Sequence, residues 1–138
     1  MTIATFHIVE HDTSEAPWLV VCQICEQWVD APERTWVWCP DEGIADHLDD
    51  LLWGFREDAF VPHSLDPEED APITLGADAP PEGFQRLINL SGNVPADPQR
   101  FQEIAEVVAA DETQRTAARA RWKAYKQAGV TLKHQPVA

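Results

Sequence analysis

The chain carries no acidic residue after Glu112, has only three cysteines, and contains no apolar run near the ~20 residues a membrane-spanning helix needs. Cys22, Cys25 and Cys39 are too few, and odd in number, for a disulfide framework; they suit a reducing compartment. The opening MTIATFHIVEHD lacks the basic and apolar regions of a secretion signal, so a soluble, cytoplasmic protein with no membrane partner is expected. The six glycines are scattered, with no Gly-x-Gly-x-x-Gly and no Gly-Lys-Ser/Thr. The phosphate cradle of a nucleotide-binding enzyme is therefore missing, and no cofactor is expected.

What is present is globular in character: 138 residues, 44% hydrophobic, with six tryptophans. A chain of this length fits one domain, residues 1–138, burying roughly two-thirds of its unfolded surface. The net charge of −14 opposes nonspecific binding to nucleic acid or anionic lipid. That charge is unevenly spread. Residues 1–112 hold four arginines against all 24 acids, a net of −20, whereas residues 113–138 hold six bases and no acid, a net of +6.

Apolar runs and punctuation predict the elements. Ile3–Val9 reads as a strand, and residues 14–30 as a helix with Trp18, Val21, Cys22, Cys25 and Trp28 at helical spacing and Ser14 and Pro17 as start signals. Residues 35–39 (TWVWC) form a buried strand. Asp41 then caps a helix whose inward stripe is Ile44, Leu48, Leu51 and Leu52, with Gly54 as its left-handed stop. Residues 64–83 are a proline- and acid-rich connection, long for a loop, with a brief strand at 73–75. Strands follow at 84–90 and 103–108, with a helix start over 98–108 as the alternative to the latter; a last helix runs from about Asp111 to Ala128 and stops at Gly129. Strand alternating with helix predicts an α/β fold, a mostly parallel central sheet covered by helices.

Along the last helix Arg115, Arg119, Lys123 and Lys126 are spaced four, four and three apart and share a face, with Trp122 and Tyr125 beside them. The helix macrodipole accounts for Lys123 and Lys126 near the C-terminus but poorly for Arg115 in the first turns. Arginine forks onto carboxylates and a neighbouring aromatic holds an apolar anchor, so the face suits an acidic peptide ending in a hydrophobic residue. Direct nucleic-acid binding through the same helix is the alternative, and it has to overcome the remaining −20.

Other constellations are weaker. Cys22-x-x-Cys25 falls inside an apolar helical stripe rather than at a helix N-terminus, which points to buried, inert thiols. The histidines show no ligand spacing. Asp49 and Asp50 point in different directions on a helix with no matching Lys or His, so neither a metal site nor catalysis is expected.

ARARWKAYKQAG, residues 118–129, resembles the closing helix of the chi subunits of bacterial DNA polymerase III. LDDLLWGFREDAFVPHSL, residues 48–65, and ATFHIVEHD, residues 4–12, are similar to further blocks of that family in the same order. The resemblance implies a Rossmann-like three-layer α/β/α domain without a catalytic site, acting as a replication adaptor and meeting DNA only indirectly. It implies two partners: the acidic C-terminal tail of single-stranded DNA-binding protein, ending in Pro-Phe, and the psi subunit, which ties chi to the clamp loader. By position the tail would meet Arg115, Arg119 and Lys123, with Val108 and Trp122 around the terminal Phe; Lys126 is added from the helical face. Trp122 stands where a tyrosine is common in the family. Psi would meet Trp53, Phe60, Val61 and Pro62, although a helix end and a core strand would explain the same residues.

Overall fold

In the computed structural model, residues 1–58 and 60–137 are described. The chain forms β1 (Ile3–Val9), α1 (Ala16–Trp28), β2 (Thr35–Trp38), α2 (Glu42–Gly54), β3 (His63–Ser64), β4 (Ile73–Gly76), β5 (Arg86–Asn89), β6 (Glu103–Val108), α3 (Glu112–Gln127) and β7 (Thr131–Val137), with a short 3-10 turn at Pro98–Arg100. The strands make one sheet in the order β3-β4-β2-β5-β6-β1-β7, and every pairing is parallel. A parallel return must travel the length of the sheet, usually through a helix. Here α1, α2 and α3 supply three returns, and residues 65–72, 77–85 and 90–102 make the other three. The long proline-rich middle is thus two parallel crossovers with β4 between them.

Alternation along each strand feeds two cores. Val37 and Cys39 face α1 and α2, where Val21, Cys25, Leu48 and Leu52 close over Ile73, Leu75, Ile88 and Val107. Trp36 and Trp38 face the other way, into the layer of Phe6, Leu87, Ile104 and Val108 that packs against Ala118 and Tyr125 of α3. Each fully buried aliphatic side chain contributes roughly 1.5–3 kcal/mol. The sheet is therefore the middle of three layers, with α3 packed over β6, β1 and β7. Over β2, β4 and β5 that face is closed by Trp36 and Phe84, stacked edge to face at 5.3 Å. Gly76 makes this possible, because a Cβ there would lie 2.6 Å from the Trp36 ring.

Helix N-termini follow their residues in two cases out of three, and C-termini in one of the two marked by glycine. Asp41 caps α2 by accepting from Ile44 N at 2.8 Å, and Asp111 caps α3 by accepting from Gln114 N at 2.8 Å. Helix α3 ends with Gly129 at φ +83°, Gly129 N donating to Lys126 O and Val130 N to Tyr125 O, the Schellman pattern. Ser14, by contrast, does not cap α1: Glu15 precedes the first turn, makes no side-chain cap bond, and Pro17 sits in that turn. Gly54 is not a left-handed stop either. It is the last residue of α2, and Phe55 closes the helix in right-handed geometry. All three cysteines are buried free thiols, and burial pushes Cys22 and Cys39 up to about 12.

Strands β3 and β7 were not expected from the sequence. β7 is an exposed edge strand, so it shows no apolar run. Thr131 N donates to Thr2 O and Glu10 N to Val137 O, so odd-numbered β7 residues turn their backbone toward β1 and Leu132, His134 and Pro136 turn theirs outward. Pro136 thus lacks an N–H where one would face solvent, which blunts the edge against a further strand.

Candidate functional site

Helix α3 is anchored from below by a buried polar cluster. Ala118, Arg121 and Tyr125 form its inward stripe. Glu106, fully buried on β6, accepts hydrogen bonds from Arg121 Nε (2.9 Å), the Tyr125 hydroxyl (2.6 Å) and Asn89 Nδ2 (2.7 Å). Burial raises the Glu106 carboxyl above its ordinary value, and Arg121, Tyr125 and Asn89 oppose that shift. Burial, with the Glu106 charge second, pushes the Tyr125 hydroxyl up as well. Tyr125, expected beside the cationic face, turns inward with Ala118 and Arg121. The signals for this cluster were an acid in the middle of the apolar strand EIAEVV, beyond Glu103 at its start, and an arginine four residues before a tyrosine.

With α3 held this way, its flank over β1 and β7 frames an open cavity of about 350 Å³. Phe6 and Ile8 of β1, Val108 of β6 and Ala118 make its apolar part; Arg115, Arg119, Trp122 and His134 complete the lining. Trp122 meets Phe6 edge to face at 5.2 Å and His134 at 6.3 Å. Arg115 is half-buried, and its buried Nε finds no hydrogen-bond partner among the described residues. Arg119 leaves 69% of its side chain exposed and reaches Glu112 at 3.4 Å, also exposed, a pair worth little in water.

Of the residues proposed for an acidic ligand, Arg115, Arg119, Trp122 and Val108 are thus brought to one cavity. Lys123 and Lys126 are exposed and outside its lining. They share the helical face but lie roughly 12 and 16 Å along the axis from Arg115 at 1.5 Å per residue. Phe6, Ile8, Ala118 and His134 were not anticipated. The first two follow β1 alternation, but their placement depends on which side of the sheet α3 takes.

The second group lies at the opposite edge, beside β3. Trp53 is 59% exposed and Phe60 70% exposed, their rings 6.3 Å apart, and Pro62 is exposed next to them. His63 packs 4.7 Å from Trp53 and places Nδ1 2.6 Å from Val61 O. Its Nε2 lies 3.0 Å from Asp49 Oδ1, without hydrogen-bond geometry. Val61 corrects the expectation: it is 1% exposed and packs in the core with Ile73 and Leu75, so its side chain is not part of this surface. Six inter-strand steps, roughly 29 Å at 4.8 Å each, separate β3 from β7.

Fold and surfaces together define an all-parallel α/β domain that presents a cationic, aromatic-lined cavity at one sheet edge and an exposed aromatic pair at the other. The chain belongs to the DNA polymerase III chi subunit family, whose model matches residues 1–133. It is 34% identical over 134 residues to the DNA polymerase III subunit chi of Pseudomonas aeruginosa, covering 96% of this chain and 94% of the relative. It is 30% identical over 141 residues to that of Escherichia coli, with 96% of each covered. The same subunit of Haemophilus influenzae is 26% identical over 140 residues.

Proposed function

We propose that the chain is a non-catalytic replication adaptor whose α3 cavity takes the acidic C-terminal tail of single-stranded DNA-binding protein. One observation carries the reading: Arg115 stands in the wall of a largely apolar cavity with a buried Nε that lacks a partner among the described residues. A buried donor without an acceptor is costly, and a carboxylate beside it would satisfy it. Phe6, Val108 and Trp122 offer the apolar seat for a terminal hydrophobic side chain, and Arg119 reaches solvent where the acidic stretch would run. Lys123 and Lys126 extend positive charge along the helix and would steer rather than hold.

At the far edge, Trp53, Phe60 and Pro62 form the surface for the psi subunit, which would connect the chain to the clamp loader. Support comes from exposure: two large aromatics side by side on water are unusual unless they meet a partner.

A fluorescent peptide with acidic residues ending in Pro-Phe should bind in a 1:1 complex that weakens as salt rises, since charges near the surface are screened. Loss of the terminal Phe should weaken it at least several-fold. Tighter binding of an oligonucleotide than of the peptide would instead support nucleic-acid recognition by the same helix.

A further inference from the structure

The aromatic edge stands in a field of one sign. Residues 35–85, which build β2, α2, β3 and β4, contain thirteen acids and, histidines aside, one base, Arg56, while Arg34 just before them donates to the backbone carbonyls of Glu69 and Ala71. Arg56 is already engaged by Glu26 and, at 2.8 Å, by Asp58. Asp46 and Asp50 precede Trp53 by seven and three residues on α2, so helical spacing sets them on the side that carries Trp53, and both are exposed. Glu57 and Asp58, also exposed, lie between Trp53 and Phe60 in the chain.

An exposed aromatic pair rimmed by Asp46, Asp50 and Glu57, which have no cationic partner among the described residues, selects its partner by charge. Nucleic acid is repelled, and an acidic segment placed against these side chains would add like charges at close range. We infer that the occupant of the Trp53–Phe60 edge is a cationic amphipathic segment of a partner polypeptide, apolar residues seated on the two rings and Lys or Arg flanking them. The inference rests on the reading of this edge as a docking surface, and adds the chemical class of the segment that docks. It also makes the domain polar in function: one edge takes an acidic chain end, the other a basic segment, and neither ligand is suited to the other's place.

The test uses the full chain and two synthetic helical peptides with the same apolar anchors, one flanked by lysines and the other by glutamates. Binding at this edge is defined as binding that Trp53→Ala abolishes, which separates it from the α3 cavity. The lysine peptide should bind there, weaken with salt, and lose about tenfold in affinity to Asp46→Lys/Asp50→Lys. Both positions are exposed, so the variant should fold, and circular dichroism would verify it. Equal binding of the two peptides at this edge, or preference for the glutamate peptide, overturns the charge inference and leaves the docking reading standing. Binding of neither overturns both. Self-association of the chain that Trp53→Ala abolishes would make a second copy the occupant, and this too overturns the inference.

Discussion

The Tyr125 hydroxyl donates to Glu106 across 2.6 Å, in a place where neither residue meets water. This contact, together with Arg121 on the other carboxylate oxygen, ties α3 to β6 and so sets the flank of the helix over β1 and β7.

Removing one member of that cluster should therefore be severe. Glu106→Ala leaves the Arg121 guanidinium buried without its counter-ion, and breaking such a pair costs about 3–5 kcal/mol. Urea denaturation should show the midpoint fall accordingly. A double variant, Glu106→Leu with Arg121→Met, should recover part of the loss, because it removes both charges, and adding Tyr125→Phe should recover more by removing a buried hydroxyl left without its acceptor.

Alkali should destabilise the fold. Cys22 and Cys39 are raised from 9.0 to about 12 and Tyr125 is raised from 10.0, so the folded state keeps protons that the unfolded chain releases first. Stability from these groups is full below about pH 9 and declines as pH rises from there toward the folded values. Denaturation curves between pH 8 and 11 should show this slope, shallower in Cys22→Ala/Cys39→Ala. A flat profile would contradict the burial of these groups.

Gly76→Ala should be destabilising by roughly 1–3 kcal/mol, the usual range for overpacking a dense core. The added methyl would lie 2.6 Å from the Trp36 ring, which is itself fixed by Phe84 and by donation from its Nε1 to Asp78 O at 3.2 Å. Thermal unfolding checks it, and Trp36→Leu should make the same alanine nearly harmless.

Pro136→Thr should promote self-association. It restores an outward N–H on β7, next to those of Leu132 and His134, and so completes an edge for strand pairing. Sedimentation at rising concentration should show dimers or larger species in the variant at concentrations where the parent chain does not form them.

The fold class was legible because buried parallel strands read as short apolar runs and because Asp41, Asp111 and Gly129 punctuate the helices. Strand β7 was hidden for the converse reason. An edge strand exposed to water needs no apolar pattern, and a proline there is tolerated on its outer side. β3, of two residues, is too short to show any period. Arg115, Arg119 and Trp122 could be grouped by helical spacing alone, whereas Phe6, Ile8 and His134 join them only through sheet order, which places β1 between β6 and β7. Spacing also gave Lys123 and Lys126 the right face but ignored their distance along the axis. Val61 shows the limit of reading exposure from a run of neighbours: in Phe60-Val61-Pro62 the middle side chain turns inward.

The cavity's role rests most directly on how affinity for an acidic, Phe-terminated peptide ranks across four alanine variants measured by isothermal titration at fixed salt. Arg115→Ala should weaken binding most, by about tenfold or more, because its guanidinium is partly desolvated, with Arg119→Ala next. Lys123→Ala and Lys126→Ala should change affinity no more than roughly twofold and act mainly through the salt dependence. Equal effects at all four positions, or no effect of Arg115→Ala, would contradict a ligand seated between Arg115 and Trp122.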